Sequence, residues 1–239
     1  MSPREPVNSQ LELGETVVEL VRKDIKHINL RVYPPGGRVR IAAPARMSLD
    51  TIRRFATTKL DWIRRHQQKI REQEREPPRA FVTGERHDVF GRLCRLSVVE
   101  DNTAPRVELC DDTLILRVRA GSGLETRRAA MDEWERQLVK RTALPLIGKW
   151  ERPMAVKVER LSVRRMRTRW GSCNYRTRTI RLNAELAKKS EQCLEYVVVH
   201  EMVHLLEPTH GVRFVSLMTQ FMPEWRFHRT QLHQSVCGA

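Results

Sequence analysis

The chain has 239 residues, 40% hydrophobic and 31% charged, enough for a sizeable core in one large domain or two small lobes. No apolar run approaches the ~20 residues of a membrane span, and Met1-Ser2-Pro3-Arg4-Glu5-Pro6 lacks the apolar stretch of a signal peptide, so a soluble cytoplasmic protein with no membrane partner is expected. The net charge of +15, from 44 Lys+Arg against 29 Asp+Glu, favours contact with polyanions such as nucleic acid, although no recognition motif accompanies it.

Residues 1–14 read as a polar tail. From Glu15 the pattern is that of strands: Lys26, Ile28, Leu30 and Val32 alternate onto one face, and Arg38–Ala42 follows Pro34-Pro35-Gly36-Gly37, which predicts a hairpin. Ser48 is placed to start a long helix, with Ile52, Phe55, Leu60, Trp62 and Ile63 on its apolar face, a solvated tail from His66 to Glu76, and a stop at Pro77-Pro78. Short β-rich runs then recur from Phe81-Val82 to Leu114–Val118, broken by Gly84, Gly91 and Asp111-Asp112, and predict a small antiparallel sheet. A helix is expected from about Leu124 to about Trp150, buried through Ala130, Trp134, Leu138, Leu144 and Ile147, with Pro145 as a kink or break. Ala155–Val158 reads as a strand. The stretches 169–173 and 179–183 read as two strands of a hairpin, and Ser190 as the N-cap of a further helix. These elements divide as a tail (1–14), a β-rich region with one long helix (15–122) and a third part (123–239), the last two forming one compact body.

The chemistry sits in Val199-His200-Glu201-Met202-Val203-His204, followed by Glu207-Pro208-Thr209-His210. Residues four apart on a helix share a face, so His200 and His204 can aim two imidazoles at one metal ion. Glu201, beside the first ligand, can take a proton from water at the metal's open position. Pro208 disfavours helical geometry at Glu207, which lets the chain turn and bring His210 back as third ligand. Three imidazoles and an open position are the donor set of a catalytic zinc; imidazole also suits manganese, cobalt and nickel. The three-histidine spacing equals that of the metzincins, but their turn glycine is Glu207 here, which excludes that group. The five cysteines are widely spaced and contain no C-x-x-C pair. They read as free buried thiols, with no disulfide framework and no second zinc site.

Beyond the histidines, Arg169-Trp170-Gly171-Ser172-Cys173 with Thr179-Ile180-Arg181-Leu182-Asn183, then Tyr196–Leu205, and His210-Gly211-Val212-Arg213-Phe214 occur in an order and spacing that resembles the YgjP-like (DUF45-type) zinc metallopeptidase-like proteins. Val21-Arg22-Lys23, Pro44 and Lys59–Ile63 fit as well, so the resemblance covers roughly residues 15–235. Two positions depart from it: Val215 stands where such sequences usually carry Trp, and Lys188-Lys189-Ser190 where a Pro is frequent. The resemblance implies an α+β fold with a zincin-like catalytic core, one zinc ion held by His200, His204 and His210, and Glu201 as general base. In zincin-like folds the strand here formed by Thr179–Asn183 borders the cleft, and it is expected to hold an extended peptide by strand addition. Arg169, Tyr196 and Arg213 sit in or beside the signatures and are candidates for substrate or oxyanion contact. Trp170 reads as a core anchor and Cys173 as a buried thiol. The sequence therefore predicts a metal-dependent hydrolase, foremost a cytoplasmic peptidase. A hydrolase of an anionic non-peptide such as a nucleoside triphosphate and a DNA-associated metalloprotein are the alternatives.

Overall fold

The computed structural model describes residues 8–33, 35–75 and 79–233. It is a mixed α+β structure that divides into two compact units, residues 1–79 and 80–239, so the expected boundary at 122/123 is replaced by one at 79/80. The reason lies in the cores. The strands of 86–118 share one apolar cluster with the helices of the last third, while residues before 79 build a separate cluster.

In the first unit β1 (Asn8–Leu13), β2 (Thr16–Lys23), β3 (Asn29–Tyr33) and β4 (Arg38–Pro44) form a sheet of order β1-β2-β4-β3. The β3–β4 hairpin is as expected. The tail is not: β1 pairs antiparallel with β2, and Leu11 and Leu13 are buried, because their period-two spacing supplies an inward face. The long helix is two helices, α1 (Leu49–Thr58) and α2 (Leu60–Arg75). Ser48 caps α1 by accepting a bond from the Thr51 N–H. The break falls after Thr57-Thr58, whose hydroxyls donate to the carbonyls of Arg53 and Phe55 and draw the backbone off its ladder. Ile52, Ala56 and Ile63 are buried with the sheet's Val18, Leu20, Val39 and Ile41. The stop expected at Pro77-Pro78 lies outside the described residues.

The second unit opens with β5 (Arg86–Val89), β6 (Arg92–Glu100), β7 (Arg106–Cys110) and β8 (Thr113–Val118), in the order β5-β6-β8-β7. The sheet is mixed, not antiparallel: β8 returns from its hairpin with β7 and lies parallel to β6. Phe81-Val82 forms no strand. Helix α3 (Leu124–Met154) runs unbroken through Pro145 and buries Met131, Leu138, Val139, Ala143 and Ile147, while Leu144 points outward. Ala155 ends α3 in the left-handed region (φ 52°, ψ 40°) and the Val158 N–H donates to Glu151, so 155–158 is the turn out of the helix and the strand β9 begins at Arg160.

A three-stranded sheet, β10-β11-β9, follows from β9 (Arg160–Arg164), β10 (Gly171–Asn174) and β11 (Thr179–Asn183). A 3-10 turn (Ala184–Lys188) leads to α4 (Glu191–Val203), capped by Ser190. Helix α4 is buried nearly all round, which overrides the weak helix propensity of Val197-Val198-Val199. It packs on α3, α5 (Val212–Phe221), α6 (Trp225–His233), β10 and β11.

Candidate metal centre

His200 lies in the last turn of α4 and His204 is its C-cap residue; the chain then turns through Glu207 and Pro208 to His210, just before α5. The turn brings Nε2 of His210 to 3.1 Å from Nε2 of His204 and 3.1 Å from Nε2 of His200. Tetrahedral coordination at bonds of about 2.0–2.1 Å sets ligand nitrogens roughly 3.3 Å apart; the two His210 separations lie close to that, and with all three ligand atoms within 4.8 Å of one another the side chains could hold one metal ion. The Nδ1 of His204 lies 3.1 Å from the Glu207 carbonyl; as donor there it leaves Nε2 with its lone pair toward the centre. His200 is fixed differently: its Nδ1 is buried without a hydrogen-bond partner among the described residues. Burial, with the neighbouring charges of His204, His210 and Arg229, pushes His200 down to about 3, so it stays neutral at any physiological pH. Burial also lowers His204.

The floor under the imidazoles is Phe214 of α5, almost fully buried, with its ring centroid 4.9, 4.7 and 4.7 Å from those of His200, His204 and His210. One apolar ring thus sets the spacing of all three side chains.

Glu201, 5% exposed, points from α4 onto β10. A Cβ on Gly171 would stand 2.5 Å from its Oε1 and 2.9 Å from its Cδ, so only glycine admits the carboxylate there. Burial raises the Glu201 carboxyl to about 8, with the positive charge of Arg169 pulling the other way. A cation bound by the histidines would act in the same direction as Arg169. Burial, with the charge of the same carboxylate adding to it, holds the Cys173 thiol up at about 12.

These groups line a cleft of about 680 Å³. The structure brings Arg169 and Tyr196 to its wall, Tyr196 almost fully buried and Arg169 exposed. Arg213 does not line it; it is exposed on α5, where its charge acts on Glu207. Trp170 both packs on the core and lines the cleft, and Cys173 lines it half-buried, outside the histidine cluster. Val215, one of the two departures noted above, also lines it. Cys94 and Cys193 are buried and free as expected, whereas Cys110 is exposed; Cys237 lies outside the described residues. The Thr179–Asn183 strand cannot receive a further strand, because β9 and β10 occupy both its edges. The edge strand at the cleft is β10, with Gly171, Ser172 and Cys173.

Sequence reasoning singled out neither Arg229 nor Trp225; both line the cleft from α6. The segment's amphipathic pattern was the available signal, but it says nothing of which element the helix faces.

A family model for the YgjP-like metallopeptidase domain matches residues 26–235. The chain belongs to the YgjP-like metallopeptidase family. At that level it is a metal-dependent peptidase, and the histidine cluster is where a metal fits. A comparison with curated proteins returned no match. Among solved structures, the YgjP-like chain is similar to the crystal structure of the metallopeptidase zymogen of Methanocaldococcus jannaschii jannalysin, at 18% identity and a TM-score of 0.33, covering 37% of this chain and 94% of that one. No helix among the described residues is long and apolar enough to cross a membrane.

Proposed function

We propose that this YgjP-like protein is a zinc-dependent peptidase with a zincin-like core, in which His200, His204 and His210 hold the ion and Glu201 is the general base. The observation that carries this reading is the convergence of three imidazoles, with Nε2 of His210 3.1 Å from Nε2 of both His200 and His204, beside a carboxylate seated on a glycine. Zinc bound there supplies Lewis-acid activation of water and of a substrate carbonyl. Glu201 takes the proton from water on Oε1 or Oε2 and returns it to the leaving nitrogen. Its seat against the β10 backbone restricts the carboxylate to the face of α4 that looks into the cleft. A peptide laid along the edge strand β10 would pair with its backbone and pass its scissile bond over Glu201. Tyr196 and Arg169 are the donors available to a developing oxyanion.

The test compares the zinc-loaded wild type with Glu201→Gln on a denatured protein and on a peptide panel, with zinc content measured in both. Retained zinc with turnover reduced roughly 10²–10⁴-fold is expected. Unchanged turnover removes Glu201 from its role. Phosphate release from nucleotides without peptide cleavage replaces the substrate class.

A further inference from the structure

Among the described residues, the cleft carries two guanidinium groups and one carboxylate, and the carboxylate is Glu201 itself. Arg169 enters from the segment between β9 and β10, and its charge acts on Glu201. Arg229 enters from α6, and its charge acts on Tyr196 and His200, one turn apart on α4. The two arginines therefore reach different parts of the site. Neither forms a salt bridge or side-chain hydrogen bond among the described residues, whereas Arg165, in the same segment as Arg169, meets Asp132, Glu135 and Glu185 within 3.1 Å.

Arg229 is itself exposed, and the part of the wall it shares with α6 is apolar. Trp225, Arg229 and Leu232 lie at i, i+4 and i+7 on α6 and all face the cleft, with Trp225 at 6% and Leu232 at 2% exposure. Val197 of α4 completes the wall. A lone cation on an apolar wall beside a reactive centre stays in water only until a substrate covers it. From then on it needs an anion, since an unpaired buried charge costs several kcal/mol. Arginine presents a planar fork that matches a carboxylate with two parallel bonds. A phosphate chain would call for several converging donors, and the chain has no Gly-rich phosphate loop.

We propose that Arg229 is the specificity-determining residue of this cleft and that it pairs with a substrate carboxylate borne on, or next to, an apolar residue. The proposal rests on the peptidase reading for the identity of the substrate, but its measurement is binding, not turnover. Two sources of the carboxylate fit, a peptide C-terminus and an Asp or Glu side chain.

The experiment uses the zinc-loaded full chain carrying Glu201→Gln, titrated calorimetrically with two matched pairs of apolar peptides. One pair differs in a free against an amidated C-terminus, the other in an internal Glu against Gln with both ends blocked. The carboxylate member of at least one pair is expected to bind about 10–100-fold more tightly, and the pair that shows the difference names the source. Adding Arg229→Gln should bring the ratio close to one, Arg229→Lys should keep part of it, and Arg229→Glu should turn preference toward a Lys-bearing peptide. Zinc content and melting temperature identify any variant that fails to fold. Equal binding within both pairs, absence of binding by every peptide, or a ratio that survives Arg229→Gln overturns the proposal. Carboxylate-dependent binding with no cleavage by the wild type would leave Arg229 as assigned and sink the peptidase reading alone.

Discussion

Gly171 and Glu201 face each other so closely that a single added carbon on the glycine would lie 2.5 Å from a carboxylate oxygen. Real Cβ atoms do not approach oxygen at that distance. Gly171→Ala must therefore displace Glu201, β10, or both. The expected cost is about 1–3 kcal/mol of stability, as for other overpacked sites, with peptidase turnover falling further than stability accounts for. The histidines are untouched, so zinc content should remain near that of the wild type. Parallel measurement of melting, zinc and turnover checks this; unchanged turnover would show that the carboxylate's seat is immaterial.

Phe214 touches all three imidazoles from below, so its removal should loosen them together. Phe214→Ala is expected to weaken zinc binding roughly 10–100-fold, the range seen when supporting groups around a metal site are lost. Phe214→Leu, which keeps most of the volume, should lie in between. Competition against a chromogenic chelator reads the affinity directly.

Asn183 is 4% exposed and ties down the segment that delivers Arg169 and Trp170 to the cleft. Its amide donates to the carbonyls of Met166 and Arg169, both at 2.9 Å, while its oxygen accepts from the N–H groups of Met166 at 3.1 Å and Glu185 at 3.2 Å. Asn183→Ala removes four bonds to partly buried backbone groups and should cost about 1–3 kcal/mol. Asn174→Ala in the exposed β10–β11 turn should cost under about 1 kcal/mol. Denaturant unfolding compares the two, and equal costs would refute the bracing role.

The thiols should differ in reactivity. A cysteine is alkylated as its thiolate, and Cys173 holds its proton to about 12 through burial and the Glu201 charge. Cys110 is exposed at the end of β7. At pH 8 iodoacetamide should modify Cys110 well before Cys173, as read by peptide mass mapping. Raising the pH toward 12 increases the Cys173 thiolate fraction and should narrow the gap. In Glu201→Gln one of the two causes is gone, so Cys173 should react faster than in the wild type.

The clustering of the three histidines was legible because they lie in one short stretch, where helical periodicity and a proline set the geometry locally. The Ser48 and Ser190 caps and the β3–β4 and β10–β11 hairpins were legible for the same reason. What escaped depended on partners distant in sequence. Leu11 and Leu13 are the exception: their partners Val18 and Thr16 are near in sequence across a turn at Gly14, and the signal is masked because the flanking residues are polar. Arg213 looked like a site residue because it adjoins His210, yet α5 turns it outward; Arg229, nineteen positions beyond His210, is returned to the cleft by α6. The choice between β10 and β11 as the edge strand is set by β9, which pairs parallel to β11 and so leaves no local turn signal.

The two four-stranded sheets share one strand order, and that order constrains how the chain can assemble. In each, the third and fourth strands form a local hairpin, and the fourth must then dock parallel to the second. Hairpins close within microseconds, but parallel non-local pairing is slow because loop entropy is lost before the contacts form. In the second unit, α3 packs on β8 and α4 packs on α3, so the helix bearing His200 and Glu201 sits on a scaffold begun by the β6–β8 docking. Refolding should therefore show two kinetically similar sheet-forming phases, and the capacity to capture zinc should appear only with the slower maturation of the second unit.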